Sequence, residues 1–299
     1  MRTFCRASLI VCALLVTSLS AAIAGTVDIG HFTPDRVFRD FGGPDYENIW
    51  SQLNDPANFG PGGIVPHSVA LAPAIPVATT EALAGLDIFV MSEVYMPMSA
   101  DEANAIAQFV RNGGCLVIIS DTLHATNPPG GNGTVPGNMV LSLLDGTTIL
   151  PYDLSGPQTA TAGTISGLMA GITDGPFGTL GLGDSFAASW HTPLSPGSAA
   201  AAIGARNGST VLAAIDAGAL GEGAGAVLIA GDVLFSDAFV PPGDNGGVVE
   251  SEANATLFLN FVAKHASMLP NVPEPSSVVL LTMASVALLP AMRRRRSGR

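Results

Sequence analysis

Short apolar runs alternate with amphipathic stretches through the middle of the chain, and the clearest unit lies at residues 87–119. An apolar run at 87–91 and a second one at 115–119 flank a segment whose apolar positions recur at helical spacing. Ser99 followed by Glu102 is the signature of a capping box at the start of that helix, and an Asn-Gly-Gly triplet ends it. A strand, a helix and a strand with such short connections predict a right-handed parallel crossover.

The same patterns predict further elements on both sides of this unit. Strands are expected at about residues 26–29, 147–150 and 226–230, and helices at about 45–53, 138–144 and 252–265. Two apolar segments joined through Asn207 and Gly208 predict a β-hairpin. Residues 156–196 are low in charge and rich in Gly, Thr and Ser, and they predict no element. The order of elements favours an α/β fold with a mainly parallel sheet plus a β-hairpin insertion.

Both ends of the chain carry patterns typical of targeting segments. Arg2 and Arg6 precede an apolar stretch and an Ala-Ile-Ala triplet, which predicts a cleavable signal helix over residues 1–24. Near the other end, residues 277–292 form an uncharged apolar run followed by four arginines. This run is slightly shorter than the roughly 20 residues that span a bilayer, but flanking arginines can reach the interface. We therefore expect a C-terminal transmembrane helix, preceded by a linker at 268–271.

The last 28 residues combine a Val-Pro-Glu-Pro element, the apolar run and the arginine cluster in a fixed order. Together they resemble the PEP-CTERM sorting signal, over residues 272–299. The resemblance implies exosortase and the general secretion machinery as partners. It also implies export, transient anchoring in the inner membrane, and then release to the cell surface or the extracellular space. A permanent anchor without processing is the alternative. The implied signal residues are Val272, Pro273, Glu274, Pro275, Arg293, Arg294, Arg295 and Arg296.

Removing the two terminal signals changes the charge of the protein. The chain has 12 basic and 24 acidic residues and a net charge of −12. The signals contain seven of the basic residues and one acidic residue, so the body keeps five basic and 23 acidic residues and a net charge of −18. Such a surface repels phosphate backbones, so no nucleic-acid partner is expected. Of the three cysteines only Cys115 remains, which excludes an internal disulfide.

Three stretches of the body carry a second resemblance. They are TTEALAGLDIFVMSEVYMPMSADEANAIAQFVRNGGCLVIISD, GAVLIAGDVLFSD and NATLFLNFVAKH. Over residues 25–267 the body is similar to the class I glutamine amidotransferase-like superfamily, and more narrowly to its non-catalytic branch. The resemblance implies a flavodoxin-like three-layer sandwich.

The cysteine chemistry of the amidotransferases is not expected in this chain. Their nucleophile sits in a tight, glycine-framed turn directly after a strand. Cys115 stands before its predicted strand, and the position after that strand holds Ser120 and Asp121 without a flanking glycine. No His-x-Glu pair follows the final strand, so the Cys-His-Glu triad is not found. We interpret Cys115 as a small buried core residue.

Polar residues follow several predicted strands, at the edge where ligands of open α/β sheets bind. Glu93, Asp121, Asp232 and Asp237 are candidate ligand-binding residues, and carboxylates of this kind would suit Ca²⁺. Asp121, His124 and Asp232 are weaker candidates for catalysis, with His124 as the base. The simpler interpretation is that Asp121 and Asp232 only cap loops and helix ends. No other cofactor is expected.

These observations predict an exported surface or extracellular-matrix protein. Its amidotransferase-like domain is expected to be non-catalytic and to act as a binding or structural component associated with exopolysaccharide. The alternative is a hydrolase or esterase that acts on polysaccharide or its acyl groups through the Asp/His cluster at the strand ends.

Overall fold

The computed structural model describes residues 25–120, 136–150, 161–188, 191–237 and 251–269. Contacts group Thr26–Met268 into one compact unit. The expected signal helix and C-terminal transmembrane helix lie outside the described residues. Among the helices that the structure does describe, none is long and apolar enough to cross a bilayer.

The unit Thr26–Met268 contains thirteen described strands and five described α-helices. The strands are β1 (Thr26–His31), β2 (Ser68–Leu71), β3 (Ile88–Ser92), β4 (Cys115–Ile119), β5 (Thr148–Ile149), β6 (Thr161–Ile165), β7 (Asp174–Gly175), β8 (Gly178–Thr179), β9 (Ser185–Ala188), β10 (Leu194–Ser195), β11 (Ala200–Arg206), β12 (Ser209–Ile215) and β13 (Val227–Ala230). The helices are α1 (Glu47–Leu53), α2 (Thr80–Leu83), α3 (Ala100–Arg111), α4 (Pro136–Leu144) and α5 (Ser251–Ala266), and a 3-10 turn at Pro44–Tyr46 precedes α1.

The main sheet has nine strands in the order β2-β1-β3-β4-β13-β12-β11-β6-β9. The first five are parallel, and their order is that of a flavodoxin-like sheet. Every residue of β3, β4 and β13 is buried, because helices cover both faces of a parallel sheet. The mixed α/β fold with a largely parallel sheet is therefore confirmed.

Alternate residues of the central strands face different helical layers. One set, which includes Phe89 and Leu116, packs with residues of α3 and α4 in a single apolar cluster. On the other face α5 covers the sheet, and its Phe258 lies 5.1 Å from the ring of Phe235 and 5.8 Å from that of Phe41. The sheet thus lies between two helical layers, as the superfamily resemblance implies.

The antiparallel half of the sheet is larger than the sequence predicts. The hairpin β11–β12 is present, and Asn207 and Gly208 both have positive φ, at 49° and 80°, as a tight hairpin turn requires. The hairpin is not a separate insertion, because β12 pairs with β13 and β11 pairs with β6. The region for which the sequence predicted no element supplies β6 to β10. These strands were missed because their small residues carry no alternating pattern.

Candidate functional site

The carboxyl ends of the parallel strands meet at one edge of the sheet, as predicted. The Glu93 N–H donates to the carbonyl of Ile119 at 2.8 Å, and the Ser120 N–H donates to the carbonyl of Ala230 at 2.9 Å. These bonds fix the polar residues that follow β3, β4 and β13 along a common edge. Glu93 and Asp232 follow strands that are separated by β4, so two strand spacings, about 10 Å, lie between their backbones.

Glu93 occupies an unusual position at this edge. Its φ is +44°, in the left-handed region that a residue with a side chain seldom adopts, and only 2% of the residue is exposed. One carboxylate oxygen lies 3.5 Å from Nε of Arg39, which compensates the buried negative charge. The sequence placed Glu93 at this edge correctly but did not identify Arg39 as its partner.

Tyr46 is a second polar group of this edge that the sequence did not reveal. Its hydroxyl lies 2.6 Å from Oγ of Ser92 and is fully buried. Burial, and then the negative charge of Glu93, raise the pKa of the Tyr46 phenol far above its ordinary value. The phenol therefore stays neutral and acts as a structural hydrogen-bonding group.

The acidic residues after β13 make backbone contacts. Asp232 is fully buried, and its Oδ1 accepts a hydrogen bond from the Val233 N–H at 2.7 Å. Asp237 accepts one from the Asn48 N–H at 3.0 Å, which ties the segment after β13 to α1. Burial raises the pKa of Asp237. These contacts match the simpler interpretation, in which such residues cap loops and helix ends.

His31 ends β1 and lies beside Asp40, with 3.1 Å between Nδ1 and the carboxylate. Burial lowers the pKa of His31, and the charge of Asp40 offsets this only in part. The imidazole is therefore mostly neutral at pH 7. Asp121 and His124 lie outside the described residues, so their convergence with Glu93 and Asp232, and the hydrolase that depends on it, stay predictions. Within the described parts of the chain, no three His, Cys, Asp or Glu side chains are grouped closely enough to hold a metal ion.

A groove of about 400 Å³ lies elsewhere, between the end of α1, the β7–β8 turn and the first turns of α5. Amide, carboxylate, hydroxyl and aromatic side chains line it together with an alanine and a leucine. The lining residues are Gln52, Asn58, Phe177, Glu252, Ala255, Thr256 and Leu259. Its volume is within the roughly 300–1,000 Å³ of small-molecule sites.

The aromatic wall of this groove is held in place from two sides. The ring of Phe177 stacks on that of Phe59, with 5.0 Å between centroids and 28° between planes. The Phe177 N–H donates to Oδ1 of Asn260, a fully buried residue of α5, at 2.9 Å. Asn260 also donates to the carbonyls of Ile172 and Gly178. An asparagine among the apolar positions of a helix was the only sequence signal for this arrangement.

Several solved structures share features of this architecture. The N-terminal domain of mmIFT52 matches with a TM-score of 0.52 at 14% identity, over 78% of this chain and 97% of that chain. A ThuA-like protein from Bacteroides uniformis matches with a TM-score of 0.45 at 13% identity, over 81% of this chain and 91% of that chain. A glutamine amidotransferase matches with a TM-score of 0.37 at 12% identity, over 79% and 98%.

At such identities the likeness to the mmIFT52 domain shows the fold alone. No protein-family model matches the sequence. No curated protein matches it significantly either.

The amidotransferase nucleophile has no counterpart among the described residues. The residue directly after β4 is Ser120, which is 5% exposed. Cys115 begins β4 at the opposite edge of the sheet and is fully buried, as expected for a core residue. A serine therefore follows β4, and the cysteine lies at the other edge of the sheet.

Proposed function

We propose that this chain is an exported, non-catalytic protein of the cell surface or extracellular matrix, whose α/β domain binds a neutral exopolysaccharide in the groove beside α5. The observation that carries the proposal is the composition of the groove wall. It combines an aromatic face with amide and carboxylate groups in one space of suitable volume.

A sugar presents hydroxyls that both donate and accept hydrogen bonds, and apolar C–H faces between them. The Gln52 amide can donate and accept, and the Glu252 carboxylate can accept from two neighbouring hydroxyls. The Phe177 ring offers an apolar face whose orientation is fixed by its stacking on Phe59. Because the body carries a charge of −18 and Glu252 lies in the groove, a neutral polymer fits better than an acidic one.

The non-catalytic part of the proposal draws on the carboxyl edge of the sheet. Glu93 is compensated by Arg39, the Tyr46 phenol is neutral, and Asp237 caps α1. Groups held in this way maintain the structure of the edge. Release of shorter saccharides or free acyl groups by the purified protein would overturn this part.

The delivery part of the proposal comes from the order of residues in the tail. Exosortase and the general secretion machinery are the expected partners, with transient anchoring in the inner membrane before release. Intact-mass spectrometry of the mature protein tests it. Cells with exosortase should yield a form lacking the arginine cluster 293–296, whereas cells without the enzyme should retain it. A tail that stays intact in both would refute the sorting.

Binding is tested by titrating the protein with the neutral exopolysaccharide of the producing cells in a calorimeter. Gln52→Ala and Phe177→Ala should each weaken binding about tenfold or more, since each removes part of the groove wall. Glu252→Gln keeps the shape of the side chain and should weaken binding because an amide accepts fewer hydrogen bonds than a carboxylate. Glu222→Gln changes an equally exposed glutamate away from the groove and should leave binding unchanged. No binding by the unmodified protein, or equal binding by all variants, would overturn the polysaccharide proposal.

A further inference from the structure

A cysteine, a histidine and an aspartate lie together at the amino edge of the parallel strands, opposite the edge described above. Cys115 begins β4, Asp87 directly precedes β3, and His265 is in the last turn of α5. Sγ of Cys115 lies 3.0 Å from Nδ1 of His265, and Nε2 of the same ring lies 3.8 Å from Oδ1 of Asp87. A nucleophile, a base and an orienting carboxylate thus follow one another in a line.

The surroundings hold each member of this group in place. The Cys115 N–H donates to the Asp87 carbonyl at 2.8 Å, which joins the two strand starts. The other carboxylate oxygen of Asp87 accepts a hydrogen bond from the Asp28 N–H at 2.8 Å. Since the carboxylate is fixed on one side, its free oxygen stays directed toward the imidazole.

Hydrogen-bond donors converge on the sulfur. The Ala226 N–H donates to Sγ at 3.3 Å, and the imidazole approaches from another side. Burial acts to lower the pKa of His265, but its interactions with Asp87 and Cys115 outweigh burial and raise it to about 9. At neutral pH the ring is therefore protonated, and its Nδ1–H is a second donor to the sulfur. Two donors and a positive charge thus surround the sulfur, and cysteines in such electropositive surroundings are the reactive ones, with the thiolate as the attacking form.

We propose that Cys115 is an oxidative modification site, at which the group formed by Cys115, His265 and Asp87 reacts with small hydroperoxides. The thiolate attacks one peroxide oxygen, so an S–O bond forms while the O–O bond breaks. The Nδ1 proton of His265 passes to the leaving oxygen, which departs as water or an alcohol. Cysteine is oxidised to sulfenic acid, the hydroperoxide is reduced, and His265 becomes neutral.

Burial makes the site selective for small reagents. Cys115 is fully buried, whereas the side chain of Asp87 is 23% exposed, so the group lies one side chain below the surface. The turns that close over the strand starts contain Gly113 and Gly223, with φ of 104° and 80°. We expect a reagent close to water in size to reach the sulfur, and a bulky aromatic disulfide reagent to reach it only after unfolding.

The test uses the full chain, with hydrogen peroxide as the probe and dimedone to trap sulfenic acid. Peptide mass spectrometry distinguishes Cys115 from Cys5 and Cys12. The unfolded chain lacks the imidazole and the Ala226 N–H beside the sulfur, so Cys115 in the folded protein should react about tenfold faster than in the urea-unfolded chain. His265→Gln should remove this advantage. His67→Gln replaces another buried histidine and should preserve it.

The comparison of the folded with the unfolded unmodified chain keeps the proposal testable if His265→Gln fails to fold. Asp87→Asn, which leaves the sulfur and the imidazole in place, should also slow the oxidation of Cys115 in the folded protein. Equal or slower oxidation of Cys115 in the folded than in the unfolded chain would overturn the proposal.

Discussion

Replacing Asn254 by alanine tests how α5 is attached to the antiparallel half of the sheet. Asn254 is fully buried, and its Oδ1 accepts a hydrogen bond from the Ala187 N–H at 2.8 Å. Its Nδ2 donates to the carbonyls of Ala187 at 2.8 Å and of Leu234 at 2.7 Å. Since β9 is the last strand in the sheet order, this amide takes the place that a further strand would have.

The size of the effect follows from the groups that the substitution leaves buried. A buried polar group without a partner costs about 1–3 kcal/mol, and Asn254→Ala leaves one N–H and two carbonyls. Carbonyls tolerate the loss better than an N–H does, and the space left by the amide can admit water. We therefore expect a loss of about 3–5 kcal/mol in the free energy of unfolding, a large part of the roughly 5–15 kcal/mol that is typical of proteins.

Urea unfolding followed by tryptophan fluorescence measures this loss. The comparison holds when the slope of the free energy of unfolding against urea concentration is the same in the variant and the unmodified protein. Asn104→Ala is the matched control, because Asn104 is an exposed asparagine of α3. It should change the free energy of unfolding by no more than about 0.5 kcal/mol. A loss below about 1 kcal/mol for Asn254→Ala would show that the amide does not hold the edge of the sheet.

Three further predictions concern stability. Gly225→Ala should cost about 3 kcal/mol or more in urea unfolding, because the new Cβ would lie 2.1 Å from a backbone carbonyl oxygen, whereas Gly62→Ala meets nothing within 4 Å and should be nearly neutral. Burial acts to raise the pKa of Glu102, but hydrogen bonds from a backbone N–H and from Arg36 lower it below its ordinary 4.5. The contribution of Glu102 to the free energy of unfolding is therefore present above pH 4.5 and is lost as the pH falls further. Glu102→Gln should weaken this dependence of stability on pH. The pKa of His265, about 9, lies above its ordinary 6.5. Up to about 3 kcal/mol of the free energy of unfolding should therefore be lost between pH 6.5 and 9, measured by thermal scans across this range. His265→Gln should reduce this pH dependence.

The parts of the fold that follow from local interactions could be predicted from the sequence. The capping box of α3 is present, with Oγ of Ser99 accepting from the Glu102 N–H at 3.1 Å and the Glu102 carboxylate accepting from the Ser99 N–H at 3.0 Å. The strands on either side of α3 are long apolar runs, so their hydrophobic pattern was enough to predict them. In contrast, Gly163 of β6 has its place because the ring of Phe186 lies against it. Such a strand is defined by its sheet neighbours and not by its own pattern.

The candidate sites depend on distant contacts, which explains why the sequence predicted them only in part. The rule that strand ends share an edge was enough to place Glu93 and Asp232 at the same edge of the sheet. It could not show that Arg39, on another loop, compensates Glu93. Likewise, Cys115 and His265 are 150 residues apart, and only the packing of α5 on the sheet brings them within 3.0 Å. Spacing in the sequence carries no information on such pairs.

The few basic residues of the body indicate how its charge constrains its partners. Between residues 25 and 271 the chain has five: Arg36, Arg39, Arg111, Arg206 and Lys264. Each of the five has a partner within the chain. Examples are the 2.9 Å pair of Arg36 with Glu102 and the contact of Arg206 with His191. All five positive charges are thus engaged in contacts within the chain, and most of the acidic residues that the structure describes are at least partly exposed to solvent. Because like charges repel, an anionic polymer would approach this surface only with cations between them, whereas a neutral one meets no such barrier.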